Sequence, residues 1–172
     1  AQKFNNDFRS PDFLRVPEPL IQKEFSRIMS LKDGKNKMSK SDPSDLSRIN
    51  LTDEKDQMLN KIKKAKTDTM PMPSEQKNLS ERPEAENLLG IYSSLKSQNL
   101  EKSIQEFSNK NFSEFKEKLS KVVIEKIQPI STEIKKLLDD TKYLDDILLD
   151  GSIKADKIAS KKIKEIKELV GF

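Results

Sequence analysis

Residues 27–43 read RIMSLKDGKNKMSKSDP. Arg27 to Leu31 alternates like a short strand, with Ile28 and Ser30 on one side and Met29 and Leu31 on the other. Asp33-Gly34 is a turn signal, Lys35 to Ser41 is polar and basic, and Asp42-Pro43 closes the stretch. The pattern predicts a strand that runs into a mobile basic loop. Within that loop, Lys37, Met38, Ser39, Lys40 and Ser41 bring two ammonium groups and two hydroxyls together. Such a loop offers charge and hydrogen bonds to a polyphosphate but supplies neither an acid nor a base. Gly34 is expected to give it freedom to close, making contacts in the transition state that are absent in the ground state. Taken alone, the same residues are equally one more lysine-rich turn, because short motifs recur by chance.

On the N-terminal side, residues 1–9 read as the end of a helix already under way, so the chain is expected to start inside a longer protein. The stretch to residue 23 is irregular, with Pro11, Pro17 and Pro19 each disfavouring helix in the residue before it. On the C-terminal side the pattern from Leu51 onward is helical almost throughout. Thr52 is the expected N-cap of a first helix, followed by Asp53 and Glu54 in its first turn and by Met58, Leu59, Ile62 and Ala65 at helical spacing. A proline-rich linker, residues 70–83, precedes a helix opened by Pro83 with a stripe of Leu88, Leu89, Tyr92 and Leu95. Leu100, Ile104 and Phe107 mark a short third helix.

The longest segment starts near Ser113 as N-cap, with Phe115, Leu119, Val122, Val123 and Ile127 on one face. Pro129 is expected to kink it before Ile130, Ile134, Leu137 and Leu138 continue. Tyr143, Leu144, Ile147 and Leu148 predict a brief helix ended by Gly151 in a left-handed cap. A final helix carries Ile158, Ala159, Ile163, Ile166, Leu169 and Val170 and stops at Gly171. All these stripes read as core. The fold class is mainly α.

Composition sets the outer limits. Apolar residues make up 33% of the chain and charged residues 36%, a balance suited to amphipathic helices with thin apolar stripes. The 33 basic residues exceed the 29 acidic ones by four, which permits a polyanionic partner without demanding one. With no cysteine there is no disulfide, thiol nucleophile or thiolate metal site, and with no histidine the commonest general base and metal ligand is missing. No apolar run approaches the roughly twenty residues of a membrane span, and no signal peptide opens the chain, so a soluble cytoplasmic protein is expected.

The order of several segments resembles one family. KMSKS is the second signature of class I aminoacyl-tRNA synthetases. Residues 13–21 (FLRVPEPLI), 27–31 (RIMSL), the loop with Ser41-Asp42, and 61–68 (KIKKAKTD) are similar in order and spacing to bacterial tryptophanyl-tRNA synthetases. So are Glu86 to Leu89 with Ile91-Tyr92, and near the end Tyr143 to Asp145, Gly151 and residues 155–159. The resemblance covers essentially the whole chain.

This resemblance implies that residues 1–50 are the tail of a Rossmann-like catalytic domain bearing the loop, and that residues 51–172 are a helical tRNA- and anticodon-binding domain. It implies ATP-dependent activation of tryptophan, with Mg2+, and transfer of the acyl group to tRNA(Trp), by a homodimer. Ile28 would lie on the adenine side of the ATP site. Lys40 would be the main transition-state cation with Lys37 as its support, and Met38, Ser39 and Ser41 would orient the loop on the nucleotide. No residue is assigned to a metal. The family's first signature carries histidines that this chain lacks, and its Gly-Asp-Gln type segment and tryptophan pocket are also missing, so the chain alone is expected to be inactive. Three other readings stand beside this one: a tyrosyl-type synthetase fragment, a non-catalytic helical RNA-binding module, and a plain helical scaffold. The basic set Lys154, Lys157, Lys161, Lys164 and Lys167 on the last helix is the ordinary surface of such a protein and assigns no anticodon contact.

Overall fold

The computed structural model describes residues 1–21 and 25–172. The irregular reading of residues 22–23 lies outside them. The helices are α1 (Gln2–Asp7), α2 (Lys55–Lys64), α3 (Pro83–Lys96), α4 (Leu100–Phe107), α5 (Phe112–Asp139) and α6 (Thr141–Val170), with 3-10 turns at Asp45–Ser47 and Gln76–Leu79. Among the described residues there is no β-strand, only an isolated antiparallel bridge between Met29 and Lys37. No helix among them is long and apolar enough to cross a membrane. The chain divides into two compact units, one of residues Gln22–Lys136 and one of Ala1–Ile21 with Leu137–Phe172.

In the larger unit, α2 to α5 bury most of the stripes that the spacing predicts. The core reading is corrected at Leu59 of α2 and Ile130 of α5, which are 43 and 44% exposed, and beyond that unit at Leu138, which is 60% exposed. Met58 and Ile62 of α2, Leu88, Leu89 and Tyr92 of α3, Ile104 and Phe107 of α4, and Phe115, Leu119 and Val123 of α5 form one core cluster. Its centre is aromatic: Phe107 meets Phe115 edge-on at 4.8 Å between ring centroids and Tyr92 at 5.0 Å. The Tyr92 hydroxyl donates to Glu106 at 2.9 Å. Burial, reinforced by that carboxylate, pushes the phenol up to about 12, so it stays a donor throughout the physiological range.

Two helix starts fall elsewhere than expected, for one recurring reason: the side chain that satisfies the free N–H groups is not the nearest hydroxyl. The structure corrects Thr52 as the cap of α2. That helix begins at Lys55, with Gln57 Oε1 accepting from the Glu54 N–H at 2.7 Å. Asp53 turns inward rather than standing in the first turn, and is only 4% exposed. Ser113 is likewise not the cap of α5, because Asn111 Oδ1 accepts from the Glu114 N–H at 2.8 Å. Pro129 lies inside α5 without ending it.

The proline-rich stretch between α2 and α3 is more than a spacer. Met72 is 2% exposed, and its backbone exchanges two hydrogen bonds with the turn before α5, donating to the Lys110 carbonyl (2.8 Å) and accepting from the Asn109 N–H (3.1 Å). Arg82 ties the stretch together, giving two parallel bonds to Asp68 (2.8 and 2.7 Å) and one to the Pro71 carbonyl (2.9 Å). Burial pushes the Asp68 carboxyl up, but the Arg82 guanidinium and the Met70 N–H outweigh it and hold the group below its ordinary value.

The smaller unit is different in kind. Phe4 packs on Phe8 (4.7 Å) and Phe13 (6.0 Å), Lys162 Nζ sits 4.6 Å over the Phe13 ring, and the buried Asn5 side chain holds both backbone groups of Leu14. The brief helix expected to end at Gly151 is not separate. Thr141–Val170 is one helix, capped by the Asp140 side chain on the Tyr143 N–H, and Gly151 lies within it. A glycine inside a helix is unfavourable by about 1 kcal/mol relative to alanine, too little to end one. The left-handed cap falls only at Gly171, where φ is +90°. The core reading of this stripe is also corrected, since α6 has no buried residue and leaves Leu148, Ile153 and Ile158 at 67, 60 and 76% exposure.

Two outcomes follow from this packing. Phe115→Ala empties the centre of the aromatic cluster, and urea unfolding should show a loss of about 3–5 kcal/mol. The depressed Asp68 carboxyl contributes stability that is present above the ordinary carboxylate range and lost as pH falls through its lowered folded value. Asp68→Asn should therefore lower stability at neutral pH and flatten its fall in acid, as read from melting temperatures across a pH series.

Candidate functional site

With no sheet among the described residues, the backbone of residues 28–50 finds hydrogen-bond partners in its own turns and in the Asn87 side chain of α3. The strand reading of Arg27 to Leu31 fails at the alternation itself, since Ser30 and Leu31 are both buried, at 4 and 3% exposure. A narrow turn holds the segment instead. The Met38 N–H donates to the Ile28 carbonyl at 3.0 Å and the Ser30 N–H to the Asn36 carbonyl at 2.8 Å. Asp33 closes the tip through the Lys35 N–H (3.0 Å) and the Asn36 amide (2.5 Å), contacts that hold its carboxyl below the ordinary value.

Gly34 is not the free hinge that its sequence position suggests. It is buried, and a Cβ there would lie 2.5 Å from the Pro83 carbonyl carbon and 2.6 Å from the Glu84 nitrogen. Glycine is needed because the turn is seated directly on the first turn of α3. On the same helix, Asn87 grips the entry limb by both backbone groups of Met29: its Oδ1 accepts from the N–H and its Nδ2 donates to the carbonyl, each at 2.8 Å.

The exit limb is held by a second group of side chains. Lys61, on the buried face of α2 and 2% exposed, donates to Asp53 at 2.6 Å and pairs with Asp45 at 2.7 Å. Asp45 also meets Arg48 at 3.2 Å, and Arg48 donates to the Asp42 carbonyl at 2.9 Å. The Lys61 ammonium is the main reason that the Asp45 carboxyl lies below its usual range, with Asn50 adding to it.

Between these anchors the expected site residues are presented outward. Lys37, Ser39, Lys40 and Ser41 are exposed, Met38 is partly buried against the core cluster, and Ile28 is partly buried. Ser39 and Ser41 share a hydroxyl–hydroxyl bond of 2.9 Å, and the Ser41 N–H donates to Ser39 Oγ at 3.3 Å. Among the described residues neither Lys37 nor Lys40 pairs with a carboxylate, and no group of three or more acidic side chains converges to hold a metal ion. The arrangement can bind and orient an anionic group.

Asn87 and Lys61 were not singled out by sequence pattern, although each leaves a trace there. Both polar residues sit in register with an apolar stripe, Asn87 beside Leu88 and Lys61 between Met58 and Ile62.

Comparison with known proteins gives a consistent result. The family described as tRNA synthetases class I (W and Y) matches residues 1–128. The tryptophan–tRNA ligase of Caulobacter vibrioides is 45% identical over 172 residues, covering 100% of this chain and 50% of its own. That of Rickettsia felis is 49% identical over 161 residues, covering 94% of this chain and 48% of its own. The tryptophanyl-tRNA synthetase of Mycoplasma pneumoniae superposes with a TM-score of 0.81 at 24% identity, over 99% of this chain and 50% of that one. The Campylobacter jejuni enzyme complexed with ADP and tryptophan superposes at 0.66 and 24%, over 100% and 51%. These structural likenesses bear on fold alone. The chain spans about half the length of the curated relatives it matches.

Asn87→Leu preserves side-chain size but strands a backbone N–H and carbonyl at Met29. We expect a loss of about 1–3 kcal/mol in urea unfolding, together with faster tryptic cleavage after Lys37 and Lys40 than after lysines of α5.

Proposed function

The chain belongs to the class I tRNA synthetases (W and Y), and from that premise we propose that it is part of a tryptophan–tRNA ligase, which activates tryptophan with ATP and transfers it to tRNA(Trp). The observation that carries this reading is similarity to tryptophan–tRNA ligases at 45% identity along the entire chain. It favours tryptophan over the tyrosine alternative.

In this reading residues 1–50 close the catalytic domain and residues 51–172 face the tRNA. Lys40 stabilises the charge that builds on the departing pyrophosphate, and Lys37 supports it. Ser39, Ser41 and the Met38 backbone orient the loop on the nucleotide, and Ile28 lies toward the adenine. Support comes from the outward presentation of both ammonium groups on a turn whose two limbs are anchored from below. Electrostatic stabilisation of this kind needs positioned charge and no acid or base, in keeping with a loop that offers neither. The described residues do not form a site for magnesium, which would accompany the nucleotide's phosphates. Homodimeric assembly and a cytoplasmic location complete the proposal.

The test is made in the intact protein that contains this chain. Lys40→Ala should slow tryptophan-dependent pyrophosphate exchange by about 100- to 1,000-fold, with Lys37→Ala slowing it less. Tryptophan affinity should hardly change. Unimpaired turnover with weakened tryptophan binding would show that the loop does not serve the phosphates.

A further inference from the structure

The loop's exit limb is tied to the helical core through one buried cation. Lys61 is in register with Met58, Ile62 and Ala65 on α2, and its ammonium is enclosed with Asp53, itself 4% exposed. From that pair a continuous hydrogen-bonded path leads to the loop. Asp53 accepts from the Asn50 N–H at 2.9 Å and from the Asn50 amide at 3.2 Å, and that amide also donates to Asp45 at 3.0 Å. Arg48 joins Asp45 to the backbone, donating to the carbonyls of Asp42 at 2.9 Å and Ser44 at 3.4 Å. Asp42 follows directly on Ser41 and stands two residues from Lys40.

Two cations and two carboxylates make the cluster neutral as a set. Without Lys61, Asp45 would keep only the Arg48 guanidinium, and Asp53 would be a buried anion with no cation in contact. Buried ion pairs contribute little net stability compared with apolar replacements of equal size, but breaking one partner is severe, so their effect is mainly geometric. Here the geometry concerns the limb that carries Lys40.

We propose that Lys61 is a positioning residue for the transfer reaction: through Asp45, Asp53 and Arg48 it fixes the exit limb so that Lys40 meets the phosphates in the transition state. This rests on the role given to the loop above. Displacement of a catalytic group by about 1 Å can lower a rate by about 100-fold, so the clamp affects kcat and leaves the amino-acid site alone.

Three variants of the intact protein test the proposal by pyrophosphate exchange, active-site titration and thermal melting. Asp45→Ala lies on the exposed side of the clamp and keeps the Lys61–Asp53 pair. It should lower kcat several-fold with unchanged KM for tryptophan and unchanged melting temperature. Lys61→Met combined with Asp53→Asn removes the cation together with the carboxylate it would strand. It should melt near the unmodified protein yet remain about 10- to 100-fold slow per active site. Lys40→Ala is the reference for the loop itself. Full speed in the Asp45→Ala and double variants, with Lys40→Ala slow, overturns the clamp and leaves the loop's role standing. Full speed in Lys40→Ala overturns both. If the double variant melts early, Asp45→Ala decides alone, since Asp45 is the exposed partner and Lys61 keeps Asp53 without it.

Discussion

Asn87 holds the backbone of Met29 by its donor and its acceptor at once, and much of the surrounding architecture answers the same need. A polypeptide segment outside helix and sheet still carries one N–H and one carbonyl for nearly every residue, and these cannot be buried unpaired. Among the described residues the segment from Ile28 to Asn50 has no neighbouring strand to supply partners. Helix α3 supplies them at Met29 through Asn87, the Lys66 N–H after α2 supplies one at the Leu31 carbonyl, and the segment's own turns supply others. Arg82 does the same for the proline-rich stretch before α3, reaching the carbonyls of Met70 and Pro71. Among the described residues, no buried side-chain nitrogen or oxygen lacks a partner. Irregular backbone can therefore lie on the core without losing definition.

Lysine has several separate tasks in this molecule, and burial distinguishes them. On α6 it is a solvated charge, as in the exposed Lys154–Asp150 pair, worth little in free energy. Lys116 is partly buried and closes the C-terminal end of α2, donating to the Ala65 carbonyl at 2.6 Å. Burial pulls its ammonium below the usual lysine range. Lys61 is enclosed with carboxylates, whereas Lys37 and Lys40 pair with none among the described residues. One residue type thus serves as surface, helix cap, buried anchor and exposed charge, according to where the chain places it.

Most of the helical fold could be read from the sequence because Met58, Leu88, Tyr92, Ile104, Phe107 and Phe115 keep a helical period and the core takes them in that order. The loop could also be read, since Asp33-Gly34 and the basic run after it have a local signature. Side chains that reach across the structure could not. Lys61 differs from its neighbours Lys63 and Lys64 only in facing inward, and Asn87 could have been a surface residue at a slightly different helix rotation. Gly34 was misread because a hinge and a close approach both call for glycine, and only the position of Pro83 separates them. The apolar period of α6 predicted burial that the described structure does not provide, because period shows which face is apolar and not whether anything covers it.

That uncovered face has a practical side. A thirty-residue helix with leucine and isoleucine side chains open to water is a surface on which solute molecules collect. In the test tube its colloidal behaviour will be set by this face as well as by the net charge of +4, which is modest for keeping copies apart. Sulfate and phosphate buffers strengthen apolar association and will favour turbidity, whereas mild chaotropes will clear it. Dilute protein in low-kosmotrope buffer is thus the state in which its folding and its loop can be measured without interference from clustering.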